Sequence, residues 1–143
     1  MKVTREIRRL STTEKYKDSF DLLISVPGFG LIMAMTMLTE FDNNIMRFPN
    51  ERKFVAMLGL IPTCHDSGEK RVSGEKTFRG NKQLGPLVVE SSWVAIQRDS
   101  ELSSYYSNCC QCMKPQRAII KVARKLACRA YAVMKNQKAY VLS

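Results

Sequence analysis

The sequence predicts an all-α fold: a compact helical domain that contains a helix-hairpin-helix and has a long Ser-Gly loop or short hairpin inserted. Helix-length apolar or amphipathic stretches alternate with short breaks rich in proline, glycine or asparagine. Only the stretch from Thr63 to Lys82 is long, glycine-rich and charged with little apolar periodicity, so it is the predicted insertion. A chain of 143 residues with 45% hydrophobic content can bury one substantial core.

Each predicted helix lies between polar or glycine-proline breaks that can begin or end it. Ser11-Thr12-Thr13, Asn50 and Asp99 are capping residues, and Pro27 to Gly30 and Gly59 to Pro62 close the helices before them. The predicted helices are Met1 to Leu10, Lys15 to Ile24, Leu31 to Phe41, Asn50 to Leu58, Leu84 to Gln97, Ser100 to Tyr106, and Pro115 to Lys135. A short hairpin is expected around Ser67 to Thr77.

The composition favours a cytoplasmic chain with a polyanionic partner. No apolar run reaches the roughly 20 residues that a bilayer span needs, and the charged start has no signal-peptide core behind it. Five cysteines, an odd count, are better interpreted as reduced thiols than as a disulfide framework. The net charge is +10, and no acidic residue follows Glu101, while that part of the chain holds eight lysines or arginines. A concentrated basic surface favours nucleic acid, with an acidic membrane surface as a weaker alternative.

The turn Val26-Pro27-Gly28-Phe29-Gly30 is the first motif with chemical content. Proline ends a helix, the glycines allow backbone conformations closed to other residues, and the next helix presents unpaired amides at its positive N-terminus. Such a turn can bind a DNA phosphate, here through the backbone at Gly28 and Gly30. The alternative is a tight packing turn that binds no ligand and places Phe29 in the core.

The last predicted helix has one cationic and one apolar face. At about 100° per residue, its cations fall within about 140° of one another, opposite Ile119, Val122, Leu126, Ala130 and Val133. The four cations that we predict to bind DNA are Arg117, Lys121, Arg124 and Lys125; Lys114, Arg129 and Lys135 share their face. The sequence of this helix supplies no carboxylate to pair with them, so a phosphate partner would explain the pattern. The alternative is a solvated face neutralised by acidic residues elsewhere in the fold.

Several short motifs occur in an order that suggests a family. In chain order they are the Val26 to Gly30 turn, Arg47-Phe48, Leu58-Gly59-Leu60-Ile61-Pro62, Asp66-Ser67-Gly68, Arg79-Gly80-Asn81, and Ala123-Arg124-Lys125-Leu126. In this order the sequence resembles the C-terminal domain of the one-ten family of insertion-sequence transposases, over roughly Leu22 to Tyr140. Residues 1–20 would then be the end of a linker helix, and 21–143 the transposase C-terminal domain.

The resemblance implies a recombinase domain acting on DNA, in which Ser67 is the nucleophile that attacks a phosphodiester. A serine needs an electropositive setting for that reaction, and the loop cations Lys70, Arg71, Lys76 and Arg79 could supply it and bind DNA. In the family, an N-terminal RuvC-like domain holds the divalent metal on carboxylates. We expect that domain to be missing here, so that the chain has no cofactor and is inactive alone. A guiding RNA and a homo-oligomer are left open as partners.

Three alternatives stay open from the sequence. Ser67 can belong to an ordinary Asp-Ser-Gly turn, and Ser73 is a rival nucleophile in the same loop. The whole chain can be a non-enzymatic helical module that binds nucleic acid.

A metal site is not predicted. The candidate ligands are Cys64, His65 and the group Cys109, Cys110 and Cys112, but their spacing does not match the pairs of a structural zinc site.

Overall fold

The computed structural model describes residues 2–60 and 84–141, and every regular element in that part of the chain is helical. This confirms the predicted all-α class. The elements are α1 (Lys2–Ser11), α2 (Lys17–Ile24), α3 (Leu31–Glu40), a 3-10 helix (Ile45–Arg47), α4 (Glu51–Met57), α5 (Leu84–Arg98), α6 (Ser100–Cys110) and α7 (Pro115–Asn136). The hairpin expected around Ser67 to Thr77 lies outside the described residues.

Side-chain caps begin three of these elements, two of them as predicted. The Asn50 side chain accepts a hydrogen bond from the Lys53 amide at 2.9 Å at the start of α4. Asp99 accepts from the amides of Glu101 and Leu102 at 2.9 and 3.3 Å at the start of α6. The Asn44 side chain accepts from Met46 at the 3-10 helix, which the sequence analysis did not predict. Each cap supplies a partner for backbone N–H groups that the first turn leaves unsatisfied.

Helix α7 is the centre of the fold. It packs against α2, α4, α5, α6 and the 3-10 helix, while α1 packs against α3 at the other side of the core. The predicted apolar face of α7 is buried, with Val122, Leu126 and Ala130 fully covered. Phe54 packs on Tyr131 with ring centroids 5.5 Å apart, and the Tyr131 hydroxyl donates to the Phe48 carbonyl at 2.8 Å. α7 can therefore expose only the face that carries its cations.

The turn between α2 and α3 is packed against the rest of the protein. Gly28 has φ +87°, and a Cβ built on it would lie 2.3 Å from the Ser91 carbonyl oxygen of α5. Phe29 is buried, and its amide donates to the Val26 carbonyl at 3.1 Å. A Cβ on Gly30, in contrast, would meet nothing within 4 Å. Gly28 is thus required for close packing of the turn on α5, and only the Gly30 side is open.

Candidate nucleic-acid interface

The solvent-facing side of α7 lies between two neighbouring helices. α4 packs along one edge of α7 and α6 packs along the other. The outward face between them carries the four cations singled out from the sequence, which we call the α7 stripe: Arg117, Lys121, Arg124 and Lys125. Arg117 is exposed and the other three are half-buried. Tertiary packing therefore keeps these four side chains on one accessible surface.

Within the stripe, Arg124 and Lys125 contact neighbouring parts of the protein. Arg124 donates from Nε to the Leu60 carbonyl at 2.8 Å, which leaves the two terminal nitrogens of its guanidinium as further donors. Lys125 places Nζ 4.5 Å from the centroid of the Tyr105 ring of α6. Both contacts fix the direction of a cation without neutralising it. The two side chains are held in place and remain charged.

Arg117 and Lys121 have a different environment. In residues 2–60 and 84–141, no carboxylate lies within ion-pair distance of either side chain. Both belong to the N-terminal half of α7, and Lys114 precedes them as its N-cap. The helix dipole disfavours a cation in the first turn, where Arg117 lies, so Arg117 gains nothing from its own helix. An external anion would stabilise it.

For Arg129, the structure supports the second of the two interpretations of the cationic face. The sequence placed it on the cationic face, with neutralisation by acidic residues elsewhere in the fold as the alternative, and at Arg129 this alternative holds because α6 brings two carboxylates to it. Arg129 pairs with Asp99 at 3.4 Å and with Glu101 at 2.5 Å, and it also donates to the Tyr140 hydroxyl. Its side chain is only 23% exposed. Arg129 is therefore a structural residue that joins α7 to α6.

The group around Arg129 forms a polar junction, defined as Asp99, Glu101, Arg129 and Tyr140. The Tyr140 hydroxyl donates to Asp99 at 2.5 Å, and the Tyr140 amide donates to the Ser25 hydroxyl at 2.9 Å. Gln137 adopts φ +57° and ends α7, which lets the last residues turn back toward α2. The junction thus joins the C-terminal segment to α2, α6 and α7.

The junction also sets the pKa values of its members. Burial alone would raise the pKa of Asp99, but hydrogen bonds from Tyr140 and the amides of Leu102 and Glu101, together with Arg129, lower it below its ordinary value. Burial and the hydrogen bond to Asp99 raise the pKa of Tyr140 to about 12. At neutral pH the carboxylate is therefore charged and the phenol protonated, as their hydrogen bond requires.

The residue that precedes the inserted segment contacts the α7 stripe, and the residues that follow the segment contact the end of α4. The Leu60 carbonyl, at its start, accepts the hydrogen bond from Arg124. At its end, a Cβ on Gly85 would lie 2.6 Å from the Leu58 carbonyl oxygen, so α5 begins in close contact with the end of α4. The predicted residues Ser67, Lys70, Arg71, Lys76 and Arg79 lie outside the described residues. The residue that precedes the segment, Leu60, is nevertheless in contact with Arg124.

The structure brings together some of the predicted site residues and separates others. The residue that precedes the Ser-Gly segment lies next to the α7 stripe, whereas Gly28 faces α5. Sequence reasoning recognised Asp99 as a cap but missed its role as the partner of Arg129 and Tyr140. The local signal for a cap is an Asp before a helix, while no local signal connects residues that are 30 and 41 positions apart.

Other kinds of site are not evident in the described part of the chain. Residues 2–60 and 84–141 contain no group of three or more histidine, cysteine, aspartate or glutamate side chains placed to bind a metal ion. Cys109, Cys110, Cys112 and Cys128 are free thiols. None of the described helices is both long enough and apolar enough to cross a bilayer.

Comparison with known proteins supplies a class for this arrangement. A family model described as Transposase IS116/IS110/IS902 family matches residues 20–107. The chain is similar to the transposase for insertion sequence element IS1111A of Coxiella burnetii (strain RSA 493 / Nine Mile phase I), with 24% identity over 135 residues that cover 92% of this chain and 37% of the relative. It is also similar to the transposase for insertion sequence element IS1328 of Yersinia enterocolitica, with 28% identity over 123 residues, 78% of this chain and 34% of the relative. No solved structure matches the chain.

The chain is thus related to transposases of insertion sequences. More particularly, it belongs to the IS116/IS110/IS902 transposase family, whose model covers more than half of it. This confirms the resemblance found in the sequence. The chain spans about a third of the length of the two curated relatives.

Proposed function

We propose that this chain is the DNA-binding part of an insertion-sequence transposase and that the α7 stripe contacts the phosphate backbone. The observation that carries the proposal is the pair Arg117 and Lys121. They face outward and have no ion-pair partner among the described residues, on a helix whose other face is fully buried. Cations that bind phosphates release counterions, which gives affinity that is independent of base sequence.

Arg124 supports the same surface in a second way. Its Nε bond to Leu60 aims the guanidinium along the edge of α7 where the inserted segment begins. The terminal nitrogens can then bind a phosphate in the fork geometry that arginine favours. A DNA strand bound to the stripe would lie next to Leu60, which precedes the segment that carries Ser67.

We further propose that Ser67 is the nucleophile of the recombination reaction, as the family resemblance implies. The serine Oγ would form a bond to phosphorus while one phosphorus–oxygen bond of the DNA backbone breaks. The serine proton would go to a base, and the departing sugar oxygen would take up a proton. Lys70, Arg71, Lys76 and Arg79 would stabilise the negative charge on the phosphate. We also propose that the backbone of Gly30 and the first amides of α3 form a second contact to a DNA phosphate.

The described residues do not fit a metal-dependent version of this reaction. Two-metal phosphoryl transfer needs several carboxylates around one point, and no such group is found in residues 2–60 and 84–141. We therefore assign no metal-dependent step to them. Metal-binding carboxylates, where the complete reaction uses them, would come from the part of a full-length transposase that this chain does not match.

A salt titration of duplex DNA binding by fluorescence anisotropy tests the interface. Each phosphate contact removed should lower the slope of log affinity against log salt by about 0.9, so Arg117→Gln with Lys121→Gln should lower it by about twice that amount. The matched control is Lys17→Gln with Lys138→Gln, which removes the same charge from two exposed sites away from the stripe. Equal slopes for the stripe variant and wild type would mean that this face is merely solvated. Structured RNA is tested as a competitor of the duplex. If the chain binds this RNA more tightly than DNA, RNA replaces DNA as the proposed partner.

A covalent trapping experiment tests the nucleophile. The chain is incubated with duplex DNA and the remaining part of a full-length family transposase, and protein–DNA adducts are resolved on a denaturing gel. We expect an adduct that Ser67→Ala abolishes and Ser73→Ala preserves. An adduct lost only in Ser73→Ala would move the assignment to Ser73. If wild type forms no adduct but still binds DNA, the chain is a non-enzymatic binding module.

A further inference from the structure

Helix α1 carries a second basic surface on a different side of the molecule. At about 100° per residue, its four cations fall within about 120° of one another. We call this surface the α1 face, and it consists of Lys2, Arg5, Arg8 and Arg9. All four side chains are exposed. α1 packs on α3 through its opposite side, where Ile7 meets the core and Ser11 is buried.

The α1 face has more positive charge than the protein around it neutralises. The one acidic residue of α1, Glu6, pairs with Arg9 at 2.7 Å, and both side chains are largely exposed. Exposed pairs of this kind are weak and compete poorly with other anions. No described carboxylate lies within ion-pair distance of Arg5 or Arg8. Arg5 also repels Arg8 and Arg9 at spacings of three and four residues, which destabilises the helix unless an anion is bound.

The two basic surfaces lie on helices that do not pack directly on one another in the described part of the chain. From α1 the packing runs through α3, then α2 or α5, and then α7. Packed helix axes are about 8–10 Å apart, while the Debye length at physiological ionic strength is about 8 Å. The charges of each face are therefore largely screened from those of the other.

We propose that the α1 face is a second DNA-binding surface, so that one copy of the chain can hold two DNA segments at once. This inference rests on the proposed function of the α7 stripe. The phosphate backbone suits the α1 face because the four exposed cations of the face match its closely spaced negative charges. Val3 and Leu10 of α1 are exposed, but a membrane surface is disfavoured because Ile7 packs against the core and α1 has no Trp or Phe to insert into a bilayer.

The test measures DNA bridging separately from DNA binding. A biotinylated duplex on beads captures a second, fluorescent duplex through the chain, and single-duplex affinity is measured by anisotropy in the same buffer. Arg5→Gln with Arg8→Gln should reduce capture by roughly 60-fold near 0.1 M salt, which is about eightfold for each of two lost phosphate contacts relative to 1 M salt. Single-duplex affinity should change little because the α7 stripe remains. Arg5→Lys with Arg8→Lys should restore capture, and Lys17→Gln with Lys138→Gln should not affect it.

The other outcomes would overturn the proposal. Wild-type capture in the Arg5→Gln and Arg8→Gln variant, or no capture by wild type, would show that α1 is not a second DNA site. Light scattering supplies the remaining check: if the variant loses self-association together with capture, α1 bridges two chains and not two DNAs. Failure of the proposed function gives a different result, since the Arg117→Gln and Lys121→Gln variant would then retain single-duplex affinity.

Discussion

Arg117 and Arg129 belong to the same face of the same helix, but their surroundings differ completely. Arg117 is exposed near the start of α7 and has no ion-pair partner among the described residues. Arg129, further along, is held by Asp99, Glu101 and Tyr140. The cationic face therefore has two parts with different surroundings. Its N-terminal part is available to a ligand, and its C-terminal part stabilises the fold.

The largest expected effect comes from removing the cation of the polar junction. Arg129→Met would leave the Asp99 carboxylate, whose side chain is 0% exposed, without its ion-pair partner. Breaking one side of a buried pair costs about 3–5 kcal/mol, a large fraction of the stability of an ordinary domain. Urea unfolding followed by circular dichroism measures this loss. Arg129→Lys should lose less, since lysine keeps the charge but not the fork that reaches both carboxylates.

The affinity of Arg129→Met for DNA provides the contrast. Per folded molecule it should equal that of wild type, because Arg129 is committed to the junction. A loss of stability below about 1 kcal/mol, or a fall in the salt slope of DNA binding by about 0.9, would show that Arg129 belongs with Arg117.

Tyr140→Phe should have the next largest effect, because it removes the hydroxyl that donates to Asp99. A hydrogen bond to a charged group contributes about 1.5–3 kcal/mol. The loss should depend on pH, since the folded state holds the Tyr140 proton with a pKa of about 12, above the ordinary value of 10.0. The stabilisation is complete below about pH 10 and is lost as the pH rises to about 12.

The check is urea unfolding of wild type and Tyr140→Phe at pH 8 and near pH 11.5. The difference between the two proteins should shrink at the higher pH, because only wild type loses this proton. Parallel pH dependences would contradict the assigned role of the Tyr140 hydroxyl.

Arg124→Gln tests a residue that stands between the two extremes. It should cost about 1 kcal/mol, the usual contribution of a single hydrogen bond, here the one from Nε to the Leu60 carbonyl. It should also lower the salt slope of DNA binding, but by no more than the loss of one contact, about 0.9. Equilibrium unfolding and anisotropy on the same preparation separate the two effects. If neither the free energy of unfolding nor the salt slope changes, Arg124 contributes neither to stability nor to DNA binding.

The smallest effect on stability is expected at the open end of the stripe. Arg117→Gln with Lys121→Gln should change the free energy of unfolding by no more than about 0.5 kcal/mol, the usual range for surface positions without partners. A small gain is consistent with relief of repulsion near the helix N-terminus. If this variant loses as much free energy of unfolding as Arg129→Met, the N-terminal cations of α7 stabilise the fold as Arg129 does, which would contradict the division of α7 into two parts.

The helices themselves could be predicted closely from the sequence. The predicted Leu31 to Phe41 is observed as Leu31–Glu40, and the predicted Pro115 to Lys135 as Pro115–Asn136. Caps and glycine-proline breaks are local, and an apolar face repeats every 3.6 residues, so both can be read from neighbouring residues. Three details were wrong or missed. α6 continues past Tyr106 to Cys110, and a 3-10 helix follows α3. The hydroxyls of residues 11–13 donate to carbonyls at the end of α1 and do not cap α2, which begins after Tyr16 without a side-chain cap.

The sequence by itself determined the helical class, the two faces of α7 and the family. It could not determine which cations of α7 would remain available, because the carboxylates that pair with Arg129 are 28 and 30 positions away on another helix. Nor could it show that Gly28 serves packing, since the Ser91 carbonyl against which it lies belongs to α5. Helix periodicity depends on backbone hydrogen bonds within one segment, whereas ion pairs and close contacts depend on how segments pack. Only the tertiary structure decided, therefore, that Arg129 is structural while Arg117 and Lys121 face solvent.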